Sequence, residues 1–163
     1  MIELHATITV MVKTNNAKKD ATSDDLLLDN QLCFALYSAS LAMTRLYKPL
    51  LAKLGLTYPQ YLVMLALWEQ DSLSVSELGA RLSLDSGTLT PLLKRLEASA
   101  LVSRLRAVDD ERRVHVTLTA AGRKLKTPAA RLPGCVIKAS QCSVSEIIAL
   151  TRQVQTLRDR LLA

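Results

Sequence analysis

Cys33 and three tyrosines, Tyr37, Tyr47 and Tyr58, are the residues of this chain whose types and spacing suit redox chemistry. The thiol sits within LLLDNQLCFALYSASLAMTRLYKPLLAKL, a long stretch with few charges, and the phenols follow it at offsets of four, fourteen and twenty-five residues. Phenol hydroxyls donating to sulfur stabilise the thiolate, the form that attacks a peroxide O–O bond. The product is a sulfenic acid, which a second thiolate converts to a disulfide before irreversible over-oxidation. On one α-helix fourteen residues rise about 21 Å while returning to within about 40° of the same face, so Cys33 and Tyr47 share a stripe without touching. Two copies of that helix crossing antiparallel about a two-fold axis near Ser40 would bring Cys33 of one chain to Tyr47 of the other, with the reverse contact by symmetry. The plainer reading of Cys33 is a small buried hydrophobe in a helix interface. That of the tyrosines is core aromatics with satisfied hydroxyls.

The elements that must hold these residues read as mostly helix. One long helix is predicted from about Leu26 to Leu54, stopping at Gly55, a residue suited to a left-handed helix end. Its apolar residues cover most of its circumference, which requires burial against more than its own chain. Thr57 to Gln60 has capping-box spacing, with Pro59 in the first turn, and opens YPQYLVMLALWEQ. Ser74 to Glu77 repeats the device before VSELGARL, and Asp85 or Ser86 caps GTLTPLLKRLEASA, whose buried stripe is Leu89, Leu92, Leu93 and Leu96. Those two helices, linked by SLDS, form a helix-turn-helix pattern. LVSRLR and VHVTLT alternate as the strands of a hairpin around the charged tip AVDDERR. Thr119 caps AAGRKLKTPAARL, expected to break at Pro128 and to end at Pro133 and Gly134. Ser143 to Glu146, a third capping box, starts the amphipathic VSEIIALTRQVQTLRDRLLA.

The expected fold is therefore mainly α with a small β-hairpin wing. A winged helix-turn-helix occupies about 57–118, between N- and C-terminal dimerisation helices at about 26–54 and 143–162. Residues 25–163 read as a single domain, and 1–24 as a mobile extension with no function assigned.

Composition agrees with one helical domain: 163 residues, 49% hydrophobic, with ten Gly and Pro together and 4% aromatics. The net charge of +6 favours an anionic partner, and ten of the 21 Lys and Arg lie in residues 71–126, beside seven acids, against three in residues 26–70. No apolar run reaches the roughly 18 residues of a membrane span. The start, MIELHATITVMVKTNN, lacks the features of a secretory signal. Three cysteines at wide spacing are neither a disulfide framework nor a zinc site. His5 and His115 lack metal-ligand spacing, and no Gly-rich phosphate loop, Walker motif or Ser/His/Asp constellation appears. The expectation is a cytoplasmic protein with reduced thiols, no membrane contact, no metal, no cofactor and no enzymatic activity.

On these residues the chain from about Leu26 to Ala163 resembles the MarR family of dimeric winged-helix transcription regulators. The wing DDERRVHVTLTAAG follows that family's Asp-x-Arg signature. LDNQLCFALYSASLAMTRLYKPLLAKLGLTYPQYLVMLALWE is similar to the organic-hydroperoxide-sensing, OhrR-type branch; the LTYPQYLVM phrase with a Cys at this offset is the more specific match. The resemblance implies that Cys33 is the sensing thiol, that Tyr47 and Tyr58 hydrogen-bond it across the dimer, and that Tyr37 lines the same pocket. It divides the branch into one-cysteine and two-cysteine types. The candidates here for a resolving thiol are Cys135, after a Pro-Gly break, and Cys142, just before the last helix's cap. The stretch LPGCVIKASQC departs from the two-cysteine form, with Lys138 where a Cys is expected.

The resemblance also implies a pseudo-palindromic double-stranded DNA operator, with an organic hydroperoxide as inducer. The helix after Asp85 would enter the major groove, making Ser86, Thr88 and Thr90 candidates for base readout. Lys94, Arg95, Arg104 and Arg106 are phosphate contacts or plain solvated charges. Arg112 and Arg113 would reach the adjacent minor groove, Arg112 being held by Asp110, or else form a hairpin-tip salt bridge. Two rivals stand beside this reading: a MarR-type repressor released by a small aromatic ligand, and, in another class, a thiol peroxidase using Cys33.

Overall fold

The computed structural model describes residues 23–106 and 113–163. Within them the chain divides into two compact units, one inside Met1–Ala39 and the other Ser40–Ala163. The first unit opens with two 3-10 turns, Ser23–Leu26 and Leu28–Asn30, before α1 (Leu32–Ala52). The expected single helix from about Leu26 thus starts six residues late. Asn30 Nδ2 donates to the Asp24 carbonyl at 2.7 Å and Gln31 Nε2 to the Asp25 carbonyl at 2.6 Å. Side-chain bonds of this kind compete with the helical ladder.

In the second unit α1 ends where the sequence places its stop. The Gly55 N–H donates to the Ala52 carbonyl and the Leu56 N–H to the Leu51 carbonyl, both at 3.1 Å, with Gly55 at φ +67°. This is a Schellman closure, in which a residue without Cβ takes the left-handed position. The helices α2 (Tyr58–Glu69), α3 (Val75–Leu82) and α4 (Ser86–Ala98) follow, each opened by the expected cap: Thr57 with Gln60, Ser74 with Glu77, and Asp85. Between α3 and α4, Ser83 takes the left-handed conformation and the Leu84 N–H reaches back to the Gly79 carbonyl at 2.9 Å, closing the helix-turn-helix.

The wing is part of a three-stranded antiparallel sheet in the order β1 (Leu73–Ser74), β3 (Val114–Leu118), β2 (Val102–Arg106). Arg104 stands opposite Val116, and Leu73 pairs with Val116 from the other side. Only β2 and β3 were expected. A two-residue strand carries no period-2 pattern, and its second residue, Ser74, is also a helix cap.

After the sheet come α5 (Ala120–Ala129), α6 (Leu132–Ser140) and α7 (Val144–Leu162). The expected stop at Pro133 and Gly134 is not there. Pro133 lies in the first turn of α6, where its missing N–H costs nothing, so the pair starts a helix instead of ending one.

The core sits among α2, α3, α4 and the sheet: Val63, Met64, Leu67, Leu73, Leu78, Leu89, Leu93, Leu96, Val102 and Val116 are almost fully buried, with Leu51 from α1. Leu92 of the expected stripe is half-buried. Along α7, Val144, Ile148, Leu150 and Val154 stay exposed, as do Leu32, Leu36, Tyr37, Leu41 and Met43 along α1. Among the described residues no helix is long and apolar enough to cross a membrane.

Candidate redox pocket and nucleic-acid interface

Cys33 is the second residue of α1 and is exposed, and Tyr37, one turn on, is 61% exposed. Tyr47, further along the same helix, is half-buried, and the turn at Gly55 brings α2 back so that Tyr58 lies beside it. Their ring centroids are 4.9 Å apart. The sequence expectation did not include Tyr61. It is 3% exposed, 5.8 Å from Tyr47 and 6.3 Å from Trp68, and so extends the pair into a run of four rings. The spacing of Tyr58 and Tyr61, three residues on one helix, was the available signal.

Burial pushes the Tyr47 hydroxyl above its ordinary range, and the neighbouring Tyr61 and Tyr58 oppose its ionisation further. Burial, then Tyr58, does the same for Tyr61. A phenol held in its protonated form keeps an O–H to give to an anion.

Trp68 ties this aromatic run to the rest of the domain. Its Nε1–H donates to the Gly122 carbonyl at 2.9 Å, and its own carbonyl accepts from Lys126 Nζ at 2.9 Å. Three residues on, Asp71 accepts from the Leu118 N–H at 2.8 Å through one oxygen and from Arg123 Nη1 at 2.6 Å through the other, joining the end of α2 to β3 and α5. Between α2, α5 and α6 a cavity of about 190 Å³ is lined mainly by Tyr61, Leu65, Trp68, Ala129, Ala130 and Pro133.

The two remaining thiols stand close in sequence but in different settings. Cys135 is exposed inside α6, so it lies within a helix and not beside a chain break. Cys142 is half-buried just before Ser143, the cap of α7, as expected, and its thiol donates to the Ser140 carbonyl at 3.4 Å. Among the described residues no group of three His, Cys, Asp or Glu side chains is placed to hold a metal.

In the helix-turn-helix, Ser86 and Thr88 are exposed in the first turn of α4, and Thr90 is half-buried. The Thr88 N–H donates to Asp85 Oδ1 at 2.9 Å, its hydroxyl to Asp85 Oδ2 at 2.8 Å, and the Thr90 hydroxyl to the Ser86 carbonyl at 2.7 Å. Those Thr88 bonds hold the Asp85 carboxyl below its usual range. Lys94 and Arg95 are exposed on α4. Arg104, in contrast, is a structural residue: its Nη2 and Nε donate to Glu97 Oε2 at 2.6 and 2.8 Å, and its N–H to Glu97 Oε1 at 3.1 Å, which fastens β2 to α4. A cleft of about 630 Å³ runs between the heads of α3 and α4 and the foot of the wing, with Ser76, Ser86, Thr90 and Arg113 in its wall. Arg113 is exposed, and its charge, with that of His115, adds to the dominant Ser74 hydrogen bonds in lowering the Glu77 carboxyl. Asp110 and Arg112 lie outside the described residues.

The chain matches known proteins over most of its length. The family model for the transcriptional regulator SarA/Rot matches residues 45–128. The organic hydroperoxide resistance transcriptional regulator of Bacillus subtilis is 48% identical over 138 residues, 85% of this chain and 94% of that one. The transcriptional regulator TtmR of Methylorubrum extorquens is 53% identical over 138 residues, 85% of this chain and 71% of that one. Among solved structures, AbfR of Staphylococcus epidermidis is 34% identical, with a TM-score of 0.70, covering 85% of this chain and 96% of its own. Reduced AbfR bound to DNA has a TM-score of 0.66 at 34% identity, covering 86% and 98%. With the helix-turn-helix, the wing and this degree of likeness, the chain belongs to the MarR family of winged-helix transcription regulators, in its OhrR-like branch.

Proposed function

We propose that the protein is a redox-sensing DNA-binding repressor of organic hydroperoxide resistance: the reduced homodimer holds a pseudo-palindromic operator, and oxidation of Cys33 releases it. The observation that carries the reading is the Tyr47–Tyr58 pair, 4.9 Å between ring centroids, with Tyr47 on the helix that also bears the exposed Cys33 and Tyr58 at the start of α2. Exposed leucines along α1 and α7 support a second copy covering them, which would set Cys33 against Tyr47 of the partner subunit. The B. subtilis relative's name and the DNA-bound AbfR support the same assignment.

The chemistry balances with an organic hydroperoxide as oxidant. The Cys33 thiolate attacks the O–O bond, the sulfur gains a hydroxyl as sulfenic acid, and the alkoxide leaves and takes a proton as the alcohol. The thiol of Cys135 or Cys142 of the partner subunit then displaces water and forms the disulfide. Moving the helix that frames the dimer turns the two α4 helices away from half-sites one DNA turn apart. Going from 99% bound to 1% requires about 5.5 kcal/mol of coupling between the two states. Arg112, held by Asp110, completes the DNA-facing set in this reading with Arg113, Lys94 and Arg95.

Mass spectrometry of the peroxide-treated, unreduced protein tests it: a peptide joining Cys33 to Cys135 or Cys142 across two chains is expected. Cys33 capped by an added small thiol indicates the one-cysteine route. An unmodified Cys33 in protein that has left DNA sinks the reading. Tyr47→Phe removes a donor to the thiolate. It should slow the oxidation of Cys33 about tenfold, the loss of one hydrogen bond to the reacting sulfur, while operator affinity of the reduced protein stays unchanged. Stopped-flow oxidation across pH checks this, and kinetics equal to wild type would remove Tyr47 from the pocket. The apolar cavity beside Trp68 favours a second reading, release by a small aromatic ligand.

A further inference from the structure

We propose that Thr88 reads one base pair of each half-site as a hydrogen-bond acceptor, selecting the exocyclic amine of adenine or cytosine and rejecting guanine. The inference rests on the DNA-binding reading above and adds to it the polarity of one reading group. A threonine hydroxyl has one hydrogen and two lone pairs. At Thr88 the hydrogen is committed to Asp85 Oδ2 at 2.8 Å, and the neighbouring N–H to Asp85 Oδ1 at 2.9 Å. A carboxylate has no hydrogen to give in return, and Asp85 is held ionised by these same bonds, so the direction is fixed. What Thr88 offers outward from the third position of α4 is lone pairs and a methyl group, and the residue is exposed there.

The major-groove edges sort cleanly against such a group. Adenine N6 and cytosine N4 are donors, whereas guanine N7 and O6 and thymine O4 are acceptors, thymine adding a methyl. An acceptor-only hydroxyl therefore gains a bond at adenine or cytosine, tolerates thymine through methyl contact and faces two acceptors at guanine. Thr90 has the same polarity, since its hydrogen goes to the Ser86 carbonyl at 2.7 Å, but it is half-buried, which leaves Thr88 as the reader.

Asp85 is thus a positioning residue for specificity as well as a helix cap, and this gives a test that a merely structural role would not pass. In Asp85→Asn the amide oxygen can still cap the Thr88 N–H, while the amide N–H can donate to the Thr88 hydroxyl and free its hydrogen for a guanine. The experiment selects binders from a randomised duplex pool with reduced wild type, Thr88→Val, Thr88→Ser and Asp85→Asn. It then measures anisotropy on duplexes carrying each base pair at each half-site position.

Wild type should disfavour guanine about tenfold at one position per half-site, a discrimination of the size of one good base contact. Thr88→Val should lose that preference at that position alone, Thr88→Ser should keep it, and Asp85→Asn should admit guanine there. Thr88→Val with an unchanged profile, or guanine preferred by wild type at the position Thr88 governs, overturns the inference while leaving DNA binding in place. A pool from which wild type selects no sequence overturns both the inference and the repressor reading.

Discussion

Gly122→Ala should cost about 3 kcal/mol or more of folding stability and lower the melting temperature by on the order of 10 °C. The physical cause is a collision with backbone that has no room to retreat. A Cβ at this position would lie 2.0 Å from the Leu101 carbonyl oxygen, 3.1 Å from its carbon and 3.2 Å from a Leu118 methyl. The Leu101 oxygen is pinned, since it accepts from the Thr119 N–H at 3.1 Å while the Thr119 hydroxyl holds the adjacent Ala100 carbonyl at 2.6 Å. Gly122 is pinned in turn: its N–H donates to the Thr119 hydroxyl at 3.0 Å and its carbonyl accepts from Trp68. Relief requires breaking this set, which undocks α5 from the entry to β2 and lets go of the indole. Ordinary overpacking of a core costs about 1–3 kcal/mol because side chains give way; here the obstacle is a fixed carbonyl. Thermal unfolding followed by circular dichroism checks the result, and a variant melting with wild type would show that the Leu101 peptide can move.

Cys33→Ser should abolish the response to hydroperoxide and leave the reduced protein's affinity for its operator intact. Serine keeps the size of the side chain, and its hydroxyl ionises far too weakly to supply the nucleophile that opens an O–O bond. Wild type titrated with cumene hydroperoxide on a fluorescent operator duplex should lose affinity by about 10⁴-fold, the ratio that carries a site from 99% to 1% occupied. The serine variant should stay bound. Release of the variant by peroxide would move the sensor elsewhere. Release by cumyl alcohol, which has the aromatic body and no O–O bond, would support the ligand-driven reading instead.

The local devices of this fold are legible in the sequence because each is made by residues three or four apart. Thr57 with Gln60, Ser74 with Glu77 and Ser143 with Glu146 all close as capping boxes, and Gly55 ends α1 as read. What escaped depends on partners far along the chain or on side chains that outcompete a propensity. Asn30 and Gln31 bond back to Asp24 and Asp25 and delay α1, although the leucine run suits a helix. Arg104 passes for a DNA-facing cation until Glu97 is found beneath it. Pro133 and Gly134 read as a stop because Pro both ends helices and begins them, and only the position of the next turn decides. Of the site, Tyr47 and Tyr58 are legible in the sequence as candidates, whereas their ring contact and the roles of Tyr61 and Asp71 appear only once α2 has been folded against its neighbours.

Trp68 is the chain's single tryptophan, and it stands at the joint between the aromatic run and the start of α5, with Tyr61 on one side and the Gly122 carbonyl at its nitrogen. The protein therefore carries its own optical gauge. Emission from that indole, sensitive to the loss of a hydrogen bond and to wetting, follows the opening of this joint in real time without any attached dye.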